Sequence, residues 1–357
     1  MRTSEITPAI FASLGLSQYE SRLGKSPENR ELLFLIDGFG AQTLDDFPEL
    51  IPNIMSGKSF GDVITSFPST TSTALATLMT GAMPNEHGML GYTVRVPNSD
   101  RVLNALKWDE KVDPVLWQPK ETLFEIGAKH GVNVTHVAGK RYEGTGFTRA
   151  ALRGANYVGA NLISEISDEA AKVLRKEKSF AYVYINHLDV AGHEDGVGSE
   201  KWLIALATVA KLLTELKEKL PPGTRIWVTA DHGMVNADEI IIFGKDNDLD
   251  KDVTLYGGEP RARHLYLRDG AARDVISRYR NYLGTKAEVL SKDEAISNNL
   301  FGNQMSIDSE ERIGDIIVIA KGGLILVDPE RVKQEAGMVG HHGGLSEVER
   351  LIPLLAY

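Results

Sequence analysis

The chain has 357 residues, 42% hydrophobic and 25% charged, which predicts a folded globular protein. Its net charge of −10 argues against binding to nucleic-acid polymers, whose phosphate backbones select an excess of lysine and arginine. The absence of cysteine excludes disulfides and thiolate ligands, so that any metal must be bound by oxygen and imidazole. Because neither a signal segment nor a run of about 18 apolar residues is found, we expect a cytoplasmic protein that does not bind membranes.

The first apolar run, at residues 31–37, ends abruptly at Asp37 and Gly38. This pattern predicts a buried parallel strand with a carboxylate at its C-terminal end. Ligands of open α/β sheets bind at that edge, which makes Asp37 a candidate ligand. A capping or turn role before the following segment is the alternative.

The stretch from residue 66 to residue 91 begins with five consecutive hydroxyl residues, at positions 69–73. Apolar residues at helical spacing follow and stop at Gly81. We predict a strand at residues 62–66, a tight turn, and a helix whose N-terminus faces the same sheet edge as Asp37. Unpaired N–H groups there would suit a phosphoryl group, although the hydroxyls also fit plain helix caps.

The next segments offer weaker candidates. His87, in the turn after the predicted helix, is either a metal ligand or a brace for its loop. Arg141 and Arg149, within residues 140–153, could contact a phosphate or could be solvated surface charge.

Two later apolar strands also end in residues that bind metals. Asp189 closes one of them, and His193 follows four residues later, past a glycine. Asp231 and His232 close the other, directly before a glycine turn. Carboxylate with imidazole suits a zinc-like ion. Neighbouring residues of a regular strand face opposite ways, so the last pair can converge only if the strand ends there.

Residues 237–303 are charge-rich, with short strand and helix patterns, and we predict a cap or insert subdomain there. A simple continuation of the sheet is the alternative. Strands are predicted at residues 315–320 and 323–327. The chain then reaches His341 and His342, adjacent histidines in a glycine-framed loop that are hard to explain as core packing.

Together these residues predict a metal site with oxygen and imidazole ligands, which fits two Zn²⁺ or similar divalent ions. Two ions about 4 Å apart stabilise the attacking and leaving oxygens of an in-line phosphoryl displacement. A free threonine is a poor nucleophile at neutral pH, so contact with a metal would be needed to activate it.

The sequence resembles the alkaline phosphatase superfamily, and within it the type I phosphodiesterase/nucleotide pyrophosphatase family. The matching motifs, in the family's order, are LIDGFG, FPSTTSTALATLMTGAMPNEHG, DVAGH, VTADHGM and GHHGG. The resemblance implies a three-layer α/β/α sandwich with a largely parallel central sheet and a smaller inserted cap region. It also implies a single catalytic domain over residues 1–357.

The resemblance implies roles for individual residues. One metal would be bound by Asp37, Thr71, Asp231 and His232, and the other by Asp189, His193 and His342. Thr71 takes the nucleophile position because it stands ten residues before Gly81, and Thr70 is its nearest competitor. His342 directly precedes the Gly-Gly pair, as the family's ligand does, which leaves His341 without an assigned role.

The sequence departs from the family pattern in two ways. Tyr92 stands where nucleotide pyrophosphatases usually have an asparagine that holds a phosphate oxygen, and we expect it to line the substrate space. Ser72 and Thr73 replace the aromatic and proline residues that usually follow the nucleophile.

We therefore predict a metal-dependent hydrolase of phosphodiester or nucleotide pyrophosphate bonds in small molecules, with a phospho-threonine intermediate on Thr71. The alternatives are a phosphomonoesterase or phosphonate hydrolase of the same superfamily, a phosphomutase, and a non-catalytic metal- or phosphate-binding protein. A monoester would need a cation such as Arg141 or Arg149 to meet its extra charge.

Overall fold

The computed structural model describes residues 1–20 and 22–357. The strands in these ranges are β1 (Arg30–Ile36), β2 (Lys58–Ile64), β3 (Thr93–Arg95), β4 (Val102–Asn104), β5 (Asn133–Ala138), β6 (Asn156–Gly159), β7 (Ser179–Ile185), β8 (Arg225–Thr229), β9 (Val235–Asn236), β10 (Glu239–Ile242), β11 (Val253–Glu259), β12 (Ala262–Leu267), β13 (Ala287–Ser291), β14 (Ile316–Ala320), β15 (Leu324–Val327), β16 (Gly340–His341) and β17 (Leu351–Ala356).

The α-helices are α1 (Thr3–Ser13), α2 (Gln42–Asp46), α3 (Pro52–Met55), α4 (Thr71–Thr80), α5 (Pro84–His87), α6 (Pro114–Trp117), α7 (Leu123–Lys129), α8 (Gly146–Ala151), α9 (Ile163–Val173), α10 (His187–Asp195), α11 (Glu200–Lys219), α12 (Ala272–Leu283), α13 (Lys292–Ser297), α14 (Ile307–Arg312), α15 (Val332–Glu335) and α16 (Glu347–Arg350). Among the described residues, none of these helices is both long and apolar enough to cross a bilayer.

Seven strands form the central sheet, in the order β2-β17-β8-β1-β7-β5-β6. The five strands from β8 to β6 run parallel, whereas β17 is antiparallel to both of its neighbours. Strand β1 lies at the centre with nearly every residue buried, which explains its continuous apolar run. The predicted α/β fold with a largely parallel central sheet is confirmed.

Strand β2 differs from its prediction in place and environment. The predicted strand at residues 62–66 in fact runs over Lys58–Ile64, and it lies at the edge of the sheet, antiparallel to β17. Six of its seven residues are at least partly solvent-exposed, and only Val63 is buried, as an edge strand allows. Residues 65–70 then form the turn that leads into α4.

A second sheet, antiparallel and four-stranded, has the order β11-β12-β14-β13. It has its own apolar core, in which Val275 and Tyr279 of α12 pack with Leu265 and Val318. Because β14 belongs to this sheet, the unit takes a strand from beyond the segment 237–303. A capping role for that segment stays a prediction.

Candidate metal centre and active site

The predicted ligands come together at one edge of the central sheet. Asp37 directly follows β1, and Asp231 and His232 follow β8, its parallel neighbour. Helix α10, which begins just after β7, carries Asp189 and His193, so Asp189 lies in the first turn of this helix and does not close the strand as predicted. Parallel strands end at a common edge, so the fold delivers these side chains to one place.

Asp37, Asp231 and His232 form the inner cluster, and all three are buried. The Nε2 atom of His232 lies 3.5 Å from Asp37 Oδ1 and 3.5 Å from Asp231 Oδ2. The second oxygen of Asp37 accepts a hydrogen bond from the Tyr184 hydroxyl, and that of Asp231 accepts one from the backbone N–H of Gly38 at 3.1 Å.

Asp189, His193 and His342 form the outer cluster, whose side chains are 13%, 25% and 10% exposed. Asp189 Oδ1 lies 3.4 Å from His193 Nε2 and 3.7 Å from His342 Nε2. The two clusters touch, because the ring of His342 stacks on that of His232 with centroids 3.6 Å apart.

The three histidines share one orientation. In each ring, Nδ1 lies within hydrogen-bond distance of a backbone carbonyl oxygen, which can only accept. The pairs are His193 with Gly340 at 2.8 Å, His232 with Gly233 at 3.0 Å, and His342 with Ser69 at 3.0 Å. Nδ1 therefore carries the proton, and the Nε2 lone pair faces the carboxylates, as in a metal-binding histidine.

The carboxylates lack a positive partner. Asp37 Oδ1, Asp189 Oδ1 and Asp231 Oδ2 are buried and accept no hydrogen bond from the described residues. Burial and the charges of Asp189 and Asp231 raise the pKa of Asp37 well above its ordinary value. Burial, with His232 and His193 nearby, lowers the pKa of His342 well below the usual range. Divalent cations would supply the missing charge, and the sulfur-free ligand set fits them.

Thr71 is the first residue of α4, and its Oγ1 lies 3.1 Å from His232 Nε2. The neighbouring hydroxyls point elsewhere. The Thr70 hydroxyl faces the Glu259 carboxyl, and the Ser72 hydroxyl donates to a backbone carbonyl at 3.1 Å. Of these three hydroxyls, that of Thr71 is the one in contact with the inner cluster.

Two cavities meet at Thr71 and Asp189. The first, of about 120 Å³, has a largely apolar and aromatic wall that includes Leu75, Tyr142, Phe147, Leu152 and Tyr184. The second, of about 250 Å³, is lined by residues that include Tyr92, Glu259, Gln334, Met338 and His341. Neither lining contains a lysine or arginine among the described residues.

Residues 32–345 match the family model described as "Type I phosphodiesterase / nucleotide pyrophosphatase". The chain belongs to this family. The resemblance predicted from the motifs is thus confirmed, and the matched region contains every predicted metal ligand.

Curated relatives of the phosphodiesterase family align with part of their length. The chain is 24% identical over 232 residues to an uncharacterized pyrophosphatase/phosphodiesterase of Schizosaccharomyces pombe, covering 60% of this chain and 47% of that protein. It is 26% identical over 215 residues to bovine ectonucleotide pyrophosphatase/phosphodiesterase family member 3, covering 57% and 24%. The chain therefore spans less than half the length of these relatives.

Solved structures share the fold over nearly the whole chain. Murine ectonucleotide pyrophosphatase/phosphodiesterase 5 superimposes with a TM-score of 0.70 and 17% identity, covering 91% of this chain and 87% of its own. An inactive threonine-to-alanine variant of that protein was solved with AMP, and it superimposes with a TM-score of 0.69 and 16% identity, over 91% and 87% of the two chains. Phosphonoacetate hydrolase of Sinorhizobium meliloti 1021, solved with phosphonoformate, superimposes with a TM-score of 0.67 and 19% identity. The match covers 93% of this chain and 90% of that chain.

The predicted substrate-binding residues differ in where they lie relative to this candidate site. Tyr92 lines the second cavity. Arg141 is exposed and donates to the side-chain oxygen of Asn186 at 3.1 Å, and Asn186 lines the first cavity, so Arg141 lies at its rim. Arg149 is exposed, lines neither cavity and has Asp113 as a charged neighbour, so the structure does not bring it to the site.

The two histidines without an assigned role are both buried. His87 Nδ1 accepts from the Met89 N–H at 3.1 Å, and its Nε2 lies 3.0 Å from the Thr77 hydroxyl, so it braces the loop after α4. His341 Nε2 lies 3.2 Å from the Met338 carbonyl oxygen, which leaves it beside the second cavity rather than in either cluster.

Glu259 is a residue of the site that the sequence analysis missed. It is buried in the wall of the second cavity, where Oε2 accepts the Tyr92 N–H at 3.0 Å and Oε1 has no partner among the described residues. Burial raises its pKa to about 8. The sequence did contain a pattern that could have identified Glu259. It is a carboxylate at the end of β11, directly before a proline, and a strand-end carboxylate is also what identified Asp37.

Proposed function

We propose that the chain is a metal-dependent hydrolase of phosphodiester or nucleotide pyrophosphate bonds, with Thr71 as the nucleophile. The observation that carries this proposal is the position of Thr71 Oγ1 at the N-terminus of α4, 3.1 Å from His232 Nε2, where the two clusters meet. Membership of the phosphodiesterase family supports it, and so does the fold shared with a pyrophosphatase/phosphodiesterase whose inactive threonine variant was solved with AMP.

The orphaned carboxylate oxygens and aligned Nε2 atoms support two metal sites. The ligands would be Asp37, Thr71, Asp231 and His232 for one ion and Asp189, His193 and His342 for the other. When bound, two divalent ions, for which we propose Zn²⁺, supply the Lewis acidity that promotes ionisation of the threonine hydroxyl and offsets charge on the phosphoryl oxygens.

The protein's own groups then account for the two steps of the reaction. Thr71 Oγ forms a bond to phosphorus while the bond from phosphorus to the leaving oxygen breaks, and the leaving alcohol or phosphate takes up a proton. Water next attacks the phospho-threonine, which releases the phosphoryl product and returns the threonine hydroxyl. The positive end of α4 favours the charge on the nonbridging oxygens in both steps.

Two features of the site favour a diester over a monoester. A cavity opens on either side of Thr71, which leaves room for an organic group on each ester oxygen. Among the described residues neither lining contains a lysine or arginine, and Arg141 lies only at the rim of the first cavity, so the second charge of a monoester would have no cationic side chain within either lining. Phosphonate hydrolysis remains the second candidate, supported by the shared fold of the Sinorhizobium enzyme.

The test is a comparison of substrates on metal-reconstituted protein. We expect bis-p-nitrophenyl phosphate to turn over faster than p-nitrophenyl phosphate or phosphonoacetate. Thr71→Ala should lower kcat/KM by about 10³-fold or more, since the nucleophile is removed. Thr70→Ala is the matched control, and we expect it to change kcat/KM by less than about 10-fold. Undiminished diesterase activity in Thr71→Ala would contradict the proposal.

A further inference from the structure

A further cavity, of about 140 Å³ and with polar residues in its lining, shares none of its lining residues with the two clusters of the candidate metal centre. It is enclosed by the start of α1, the turn after β2 and the end of α16. Its lining residues include Arg2, Thr3, Ser4, Thr65, Ser66 and Arg350. Among the described residues, this lining includes two arginines but no aspartate or glutamate, and none of the proposed metal ligands belongs to it.

Among the described residues, the Arg350 side chain makes no hydrogen bond and no ion pair, unlike the other arginines that are withdrawn from solvent. Arg261 and Arg263 are fully buried, and each is paired with a glutamate. Arg312, whose Nε also lacks an acceptor, donates to two carbonyl oxygens through Nη1 and lies over the ring of Trp117. Arg350 is half-buried, and its Nε atom is fully buried without an acceptor among the described residues. A buried donor without an acceptor is costly, so a missing acceptor is expected here.

The surroundings of Arg350 lack negative charge as well as a hydrogen-bond acceptor. Arg2 is its charged neighbour, and neither arginine has an acidic partner within ion-pair distance among the described residues. Burial and the charge of Arg2 both lower the pKa of Arg350. Ser66 is only 5% exposed, and its hydroxyl has no hydrogen-bond partner in the described part of the chain. Two cations and an unsatisfied hydroxyl therefore line the same space.

The N-terminus of α1 adds to this positive potential. The helix has 11 residues, and Thr3 and Ser4 of its first turn line the cavity. Glu5, the acidic residue of that turn, is engaged by the Arg2 N–H and by the Arg22 side chain and does not line the cavity.

We propose that this cavity is an anion site that binds a tetrahedral oxyanion, either free phosphate or the phosphoryl group of a mononucleotide. An anion there would accept hydrogen bonds from Arg350 and Ser66 and would neutralise the paired arginine charges. The site is separate from the reaction centre but adjoins its support, because Thr65 donates to the backbone carbonyl of Asp231 at 2.6 Å. The proposal does not depend on the proposed hydrolase activity.

The test is calorimetric titration of EDTA-treated protein with inorganic phosphate at low ionic strength, so that the metal centre does not contribute. We expect binding to one site, weakened by about 10-fold or more in Arg350→Met, since a charge-assisted hydrogen bond is lost. Arg175→Met, at an exposed arginine outside the cavity, is the matched control and should leave binding unchanged.

Two further variants test whether weaker binding could result from misfolding and whether phosphate binds at the metal centre instead of in this cavity. Ser66→Ala removes one hydroxyl and should weaken phosphate binding several-fold while the far-UV circular dichroism stays that of the wild type. Asp189→Asn, in the metal centre, should bind phosphate as the wild type does. Parallel titration with AMP distinguishes a free ion from a phosphoryl group. The proposal fails if wild-type protein binds neither ligand, if Arg350→Met and Ser66→Ala bind normally, or if Asp189→Asn abolishes binding.

Discussion

The inner and outer halves of the candidate metal centre contain the same types of side chain, carboxylate and imidazole, but are built differently. Asp37 and Asp231 of the inner half follow adjacent parallel strands of the central sheet and are buried. The outer half combines Asp189 and His193 from α10 with His342 from a loop, and it is partly open to solvent. The sheet alone thus fixes the inner half, whereas the outer half depends on elements packed around it.

The loop that carries His342 is held by the second sheet. Glu349 accepts the Gly344 N–H at 2.8 Å and forms a buried ion pair with Arg261, which stands in the turn between β11 and β12. Gly343, with φ of +123°, lies where an added Cβ would come within 2.6 Å of Glu259. The outer half is therefore coupled to the four-stranded sheet, and the two halves should respond differently to mutation.

The largest effect is expected in the inner half. Asp231→Asn removes a buried ligand charge that no solvent molecule can replace, and we expect diesterase kcat/KM to fall by about 10³-fold. Metal content after dialysis, measured by mass spectrometry, should fall as well, and added metal should not restore activity. Asp269→Asn, at an exposed site, is the matched control. Rescue of Asp231→Asn by added metal would remove the distinction between the halves.

A smaller loss is expected in the outer half. In His193→Ala, solvent can enter the vacated position, and we expect activity to fall by about 10- to 100-fold. Raising the metal concentration should recover much of the loss, since the remaining ligands are intact. Titration of activity with Zn²⁺ measures this, and a loss as large and as irreversible as that of Asp231→Asn would contradict the comparison.

The support of the inner half can be tested through Tyr184, whose hydroxyl donates to Asp37. Tyr184→Phe removes this hydrogen bond and leaves the ring, so we expect about a 10-fold loss in metal affinity at the inner site. Tyr256→Phe, at a buried hydroxyl of the second sheet, is the control and should leave metal affinity unchanged.

Glu259 is expected to affect stability rather than activity, as a pH dependence of the free energy of unfolding of the metal-free protein. With its pKa raised from 4.5 to about 8, the folded state holds a proton that the unfolded state releases between these values. The contribution of Glu259 to the free energy of unfolding is therefore fully present below pH 4.5. As the pH rises from 4.5 towards 8, the free energy of unfolding falls by up to about 1.4 kcal/mol per pH unit. Arg263 opposes this shift and Glu349 adds to it, but burial is the largest cause.

Urea unfolding at several pH values measures this contribution. Glu259→Gln should flatten the fall in the free energy of unfolding between pH 4.5 and 8, because the amide does not titrate. Glu330→Gln, at an exposed position, should keep the wild-type slope. Equal slopes in the wild type and Glu259→Gln would show that the Glu259 carboxyl is ionised throughout this range.

The central sheet and the chemistry at its edge were predictable from the sequence. Buried parallel strands appear as continuous apolar runs, and the polar residue that ends each run must lie at the edge where ligands bind. Asp37 and Asp231 were identified in this way, whereas Asp189, which was predicted to end a strand, lies in the first turn of α10. Their roles as metal ligands, like that of Thr71 as nucleophile, remain predictions that the experiments above address.

Only the tertiary structure decided which side chains meet across distant segments. It separated Thr71 from Thr70 by the direction of their hydroxyls, placed Arg149 away from the site, and brought Glu259 into the second cavity. It likewise brought Arg350 beside Arg2, 348 positions earlier in the chain. A sequence pattern records which face of its own element a residue occupies, whereas a partner's identity depends on how elements far apart in the chain pack together.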